Sequence, residues 1–416
     1  MLKKNPLDRI RIPTFSPPAI IYAVVCTSVL AIVSHFIDLP YLFGNWEEKA
    51  KSILDFNLTD NFYPPGAAIA LIPFLWAGPT YSIGVFFYYF LSCYIYYLVC
   101  EIVKKRGFRT LALLALPCNP YLSWLCLTSA DQVIELFYLT LFALGLVKKR
   151  FWFFLLFGWL LCLTRPAYWI AFLLITLIYP YKRTKVRQRL QLKRLSGLTL
   201  LCITVLGNVI VFSSPNLSSS SGLTFFYSHN KYHYLSLPLF DMDVFLDEQM
   251  NTKAINQESA SFTYIKDENL RAGLISIREN PKEIILATGQ KINSYFFSTQ
   301  KVPNLPGEYR ISADAKTISI GEERITWPLV LGNTAYQVYR TIWILLFIFA
   351  CSYVITYKTG ASLTKKTETY LLIPYFVGII PALMFYVETR QKICSELIAV
   401  PIILKILSQS KKGTSQ

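Results

Sequence analysis

Apolar runs of about 14 to 22 residues recur along the chain, separated by short polar breaks and by one polar stretch of about 120 residues. Read as membrane helices, they fall at about 18–37, 80–103, 109–127, 130–147, 151–164, 166–181, 195–213, 337–357, 369–387 and 393–408. The pattern predicts an all-α polytopic membrane protein with about ten transmembrane helices. A further apolar run at 66–77 is about half the length a bilayer requires, which suits a re-entrant or interfacial helix. The first run is longer than a signal-peptide core and no small-residue cleavage site follows it, so it reads as an uncleaved span.

Charge gives the runs a direction. Lys104, Lys105 and Arg106 close one run, and Lys148, Lys149 and Arg150 close another. Further basic clusters lie at 182–194, at 358–366 and at Lys411 and Lys412. Ten spans with a cytoplasmic N-terminus put all of these on the cytoplasmic side. Five segments then share the other face: 38–65, 128–132, the Thr164-Arg165-Pro166 hinge, 214–336 and 388–392. The chain divides accordingly into a membrane module at 1–213 (spans 1–7), an external segment at 214–336 and a second membrane module at 337–416 (spans 8–10).

Composition narrows the class. Of 416 residues, 54% are hydrophobic and 16% charged, too apolar for a soluble chain of this size. The net charge of +16 sits in clusters beside apolar runs, which argues for membrane lipids and against nucleic acid as a partner. The nine cysteines lie in or at the edges of apolar runs, without metal-like spacing to histidine, which argues against a disulfide framework or a zinc site. The two halves show no transporter-like repeat, so the asymmetry points to an enzyme working at one membrane face.

The external segment opens on a flexible Ser-rich stretch, 213–222. Asn280-Pro281-Lys282-Glu283 marks a helix start, and Ile284, Ile285, Thr288, Ile292 and Phe296 follow at near-helical spacing. Residues 257–279 suit a second helix.

Candidate chemistry centres on 44–66, a polar island that holds four of the chain's 25 carboxylates, Glu47, Glu48, Asp55 and Asp60. A carboxylate just outside a span can accept a proton from a hydroxyl, and Arg or Lys can hold a phosphate. Asp131, Gln132, Arg165, Glu388, Arg390 and Lys392 lie at the same predicted face. Arg165 is notable because its short hinge offers little else to keep it hydrated.

Several of these stretches together resemble the GT-C superfamily of integral-membrane glycosyltransferases, of the dolichyl-phosphate-mannose–protein and phosphatidylinositol-glycan mannosyltransferase types. They are Glu47-Glu48 before Ala50, Tyr63-Pro64-Pro65-Gly66, Asn119-Pro120, Leu163-Thr164-Arg165-Pro166, Ile277-Arg278-Glu279-Asn280-Pro281 and Glu388-Thr389-Arg390. The resemblance implies transfer of a sugar from a polyprenyl-phosphate donor to a hydroxyl of a lipid, glycan or protein acceptor on the external face, with inversion. It assigns the general base to Glu47, with Glu48 next in line and Asp55 as a further candidate, although the family usually has Asp there. Tyr63 and Asp131 are read as substrate contacts, and Arg165, Arg390 and Lys392 are candidates for the donor's phosphate on charge and position alone. No cofactor is demanded, although some members use a divalent metal. The expected location is the bacterial cytoplasmic membrane, with both termini in the cytoplasm.

Two other classes compete. An O-antigen ligase or polymerase would place its key residues in the late external segment, at His229, His233, Arg271 or Arg278. A transporter or flippase would carry charges deep in its spans, where Glu101, Glu135 and Glu396 come nearest.

Overall fold

A computed structural model describes residues 16–36, 44–57, 65–75, 81–128, 130–179, 187–212, 215, 217, 225, 228–229, 262–296, 309–311, 318–320, 327–356, 367–384 and 389–409. Residues 1–213 contain, among those described, α1 (Pro17–Phe36), α2 (Gly44–Leu54), α3 (Pro65–Leu75), α4 (Tyr81–Cys100) and α5 (Arg106–Leu114). They continue through α6 (Pro120–Thr128), α7 (Ala130–Val147), α8 (Phe151–Thr164), α9 (Trp169–Ile178) and α10 (Arg187–Phe212). After it come α11 (Phe262–Glu279), α12 (Pro281–Phe296), α13 (Trp327–Thr356), α14 (Ile373–Val377), α15 (Ile379–Met384) and α16 (Thr389–Gln409).

The architecture is helical, with one small addition. A two-stranded antiparallel ladder, β1 (Tyr309–Ile311) with β2 (Ile318–Ile320), pairs Arg310 with Ser319 inside the polar 214–336 stretch. Among the described residues, four helices, α1, α4, α10 and α13, contain stretches long and apolar enough to cross a membrane; the pair α6–α7, bent by 116°, makes a fifth if it is one broken span. Shorter apolar helices, among them α3 and α8, fill the spaces between.

Two apolar runs are broken where the sequence pattern reads them as single spans. The 109–127 run divides into α5 and α6 around Pro117, whose missing N–H cannot continue the ladder. Asn119 restarts the helix: its Oδ1 accepts the Leu122 N–H at 3.0 Å, and Pro120 takes the first helical position. The 369–387 run becomes a 3-10 turn (Thr367–Leu372) followed by α14 and α15, with Pro374 and Pro381 near their starts.

Helices α4, α7 and α16 form the centre. From Ile393 to Leu404 nearly every side chain of α16 is buried, against α5, α7 and α13. The turn from α7 to α8 is closed by Lys149 at φ 55°, with Arg150 N–H donating to Gly145 O at 2.8 Å, a helix-ending motif that directs α8 back antiparallel.

The contacts also sort the two ends of the bundle. At one end, Glu101 lies 3.6 Å from Lys148 and 3.9 Å from Arg109, and Lys193 lies over the Phe151 ring. Among the described residues, Arg109, Lys148 and Lys193 therefore share an end. At the other, Lys49 lies 5.7 Å from the centre of the Phe212 ring, which brings α2 to the end of α10.

Candidate functional site

The first polar island folds as α2, an amphipathic helix that buries Trp46, Lys49 and Ala50 on one side. Glu47 stands in its first turn, where the helix dipole favours a carboxylate, and pairs with Lys51 at 2.5 Å. Glu48 is exposed. Tyr63 and Asp60 lie outside the described residues. At the start of α3, Gly66 packs directly on the hinge after α8: a Cβ on Gly66 would lie 2.5 Å from Thr164 N and 2.6 Å from Leu163 C. The absence of a side chain there lets the first loop close onto the Thr-Arg-Pro hinge.

Next to Thr164 in the chain, Arg165 gathers a cluster of charges. Arg165 Nη2 donates to Asp131 Oδ2 at 2.6 Å, and its Nε donates to Glu135 Oε2. Tyr168 Oη donates to the other Glu135 oxygen at 2.6 Å. Asp131 and Glu135 stand one turn apart on α7, so both reach the hinge from the same helix face. Glu135 is fully buried, whereas Asp131 and Arg165 keep 17% and 18% of their side-chain surface exposed. With every group ionised the trio carries one net negative charge, open to solvent on the Asp131 side. A small hollow of about 10 Å³, room for one water, lies by the end of α8, lined by Pro65, Leu163, Trp169, Asn208 and Leu217 among others.

The last turn builds a second network. Lys392, at the start of α16, is buried and donates to the Tyr295 carbonyl at 2.6 Å. Arg340 of α13 pairs with Glu396 at 2.6 Å, both fully buried, and donates to the Phe296 carbonyl at 3.3 Å. The two cations thus meet the C-terminal carbonyls of α12, where the helix dipole is negative. Arg390 lies in the first turn of α16, and its side chain is outside the described residues.

A third cation fixes the other part of α12. Lys291 is buried and donates to the Ser228 carbonyl at 3.0 Å, to Ser228 Oγ and to the Leu383 carbonyl at 3.2 Å. Burial pushes its ammonium down to about 7. His229 stacks on Phe225, and burial, with Lys291 second, lowers it to about 4.

Of the residues singled out from sequence, Asp131 and Arg165 are joined directly, and Pro65-Gly66 reaches the same hinge. Glu47 pairs within its own helix, and Lys392 belongs to the α12 anchor. Glu135, Tyr168, Arg340 and Glu396 complete the networks but were not assigned site roles. Their signal was present in the one-turn spacing of Asp131 with Glu135 and of Lys392 with Glu396. Among the described residues, no three His, Cys, Asp or Glu side chains gather as a metal site.

No family model, curated protein or solved structure matches this chain. Fold and composition define a helical membrane protein. Two of its buried charged networks gather around Arg165 and around Arg340.

Proposed function

We propose that the protein is a membrane glycosyltransferase that moves a sugar from a polyprenyl-phosphate donor to an acceptor hydroxyl, inverting the anomeric carbon. In this reading the chain crosses the bacterial cytoplasmic membrane about ten times, with both termini inside and the site on the outer face. The observation that carries it is the meeting of separate turns: Asp131 is bonded to Arg165, while Gly66 rests on Thr164. Loops far apart in sequence that close on one partly exposed acid–base cluster suit a reaction between two bound substrates.

A carboxylate takes the acceptor's proton as its oxygen attacks the anomeric carbon, and the bond to the donor phosphate breaks. The proton-transfer step is worth roughly 10²- to 10⁴-fold in rate. Glu47 is assigned as the base and Glu48 as the alternate. Asp131 binds substrate beside Arg165, and the donor phosphate is assigned to Arg390 and Arg165. Lys392, engaged by the Tyr295 carbonyl, supports that wall from behind.

A second reading, transport of a lipid-linked substrate, is favoured by one observation: Glu135 and Glu396 are buried charges within the bundle. Turnover of radiolabelled polyprenyl-phosphate sugars by purified wild type and by the Glu47→Gln and Glu48→Gln variants tests the base assignment. Loss of transfer in one folded carboxamide variant supports it, and full activity in both removes it.

A further inference from the structure

Helix α12 presents two faces of different character. Ala287, Lys291 and Tyr295 are buried at intervals of one turn, and through Lys291 and Tyr295 this face is held to α15 and α16. The opposite face leaves Ile285 (70% exposed), Leu286 and Ile292 bare. Helix α11 does the same, with Leu270 and Leu274 exposed one turn apart and Ile275 beside them. Bare aliphatic side chains on two successive helices form a patch that water does not favour.

What covers the patch is indicated by its neighbours. The end of α12 is bonded to Arg340 of α13. On α13, Val338, Ile342, Leu345 and Phe349 form an exposed stripe along one of the stretches able to cross a membrane. The apolar surface of α11 and α12 thus connects, through the end of α12, to a helix with an exposed apolar stripe long enough to cross a membrane. Among the described side chains of the two helices, Arg271, Arg278 and Lys282 are exposed, against an exposed Glu279 and a half-buried Glu283. Apolar side chains flanked by long cations are the pattern of helices lying in a bilayer interface, where the cations extend to headgroups.

We propose that α11 and α12 lie in the membrane interface at the end of the bundle that carries the candidate site. Ile285, Ile292, Leu270 and Leu274 take phospholipid acyl chains, and Arg271, Arg278 and Lys282 take anionic headgroups. This proposal needs only that the chain spans a membrane, and it holds whichever reaction the site performs. Its consequence for any lipid substrate is that one wall of the approach is an amphipathic helix pair fixed to the spans by Lys291, Arg340 and Lys392.

The test uses the full-length protein in lipid nanodiscs with a photoreactive benzophenone amino acid at position 285, 274 or 279. After illumination, intact-mass measurement should find phospholipid adducts at 285 and 274, several-fold above those at 279. The yield should rise when phosphatidylglycerol replaces part of the phosphatidylcholine. Cross-links from 285 and 274 to a second copy of the chain, or lipid adducts no more frequent than at 279, overturn the proposal. Equal yields in both lipid mixtures overturn its headgroup half.

Discussion

Arg165 donates to Asp131 at 2.6 Å and so ties the start of α7 to the hinge between α8 and α9. Neither residue explains the arrangement alone. The same guanidinium also holds Glu135, a carboxylate with no exposed side-chain surface. A buried carboxylate needs a partner, and Arg165 is the cation that supplies it.

Removing Arg165 should therefore damage the fold as well as the site. Arg165→Ala is expected to destabilise the protein by roughly 3–5 kcal/mol, because it strands Glu135. Arg165→Ala with Glu135→Gln should recover much of that loss while remaining inactive. Thermal unfolding in detergent, followed for both variants, checks the order.

Tyr168 offers a gentler perturbation. Tyr168→Phe removes one hydrogen bond to Glu135 but leaves the Arg165 pair in place. A loss of about 1–3 kcal/mol is expected. If the cluster is aimed by this bond, kcat should fall more than the affinity for either substrate.

The contact between Gly66 and Thr164 predicts a steric effect. Gly66→Ala places a methyl group 2.5 Å from Thr164 N, so backbone must shift, at a cost of about 1–3 kcal/mol. Gly107→Ala is the control, since nothing lies within 4 Å of its added carbon. Only the first substitution should lower both stability and transfer.

Lys291 gives the chain a pH dependence with a defined sign. Its folded value lies near 7, against 10.5 when unfolded, so between these limits the unfolded chain binds more protons. Stability should then rise as pH increases from about 7 to 10.5 and be insensitive to this group below 7. Lys291→Met should flatten that rise in thermal unfolding curves taken across the window.

The helical membrane class was legible in the sequence because long apolar runs admit few structures. Of the ten spans read there, however, four helices, or five with the bent pair, are long and apolar enough to cross among the described residues. The 151–164 run is α8, residue for residue, and the Pro281 helix start lies where the Asn-Pro pair put it. Asn280, however, turns its amide back to the Ser276 carbonyl at 3.2 Å, joining α11 to α12. The breaks at Pro117 and within 367–384 were harder to read, because hydropathy averages over a turn that apolar residues also line. Asp131 and Arg165 were visible as polar residues at turns, but their pairing depends on how α7 packs beside α8. Hydropathy along one chain does not contain that lateral choice. Glu135 and Glu396 were read as span-end carboxylates, whereas their one-turn spacing from Asp131 and Lys392 already placed each on a charged helix face. The short β1–β2 ladder left too brief an alternation to stand out from a polar segment.

The most direct measurement places purified protein in proteoliposomes with a polyprenyl-phosphate hexose and acceptor, and follows both the sugar and the lipid phosphate. The account predicts a glycosylated acceptor of inverted configuration, with one free polyprenyl phosphate released for each transfer. Movement of the intact donor between leaflets with its glycosidic bond unbroken would contradict it, and would identify the buried glutamates as parts of a transport path.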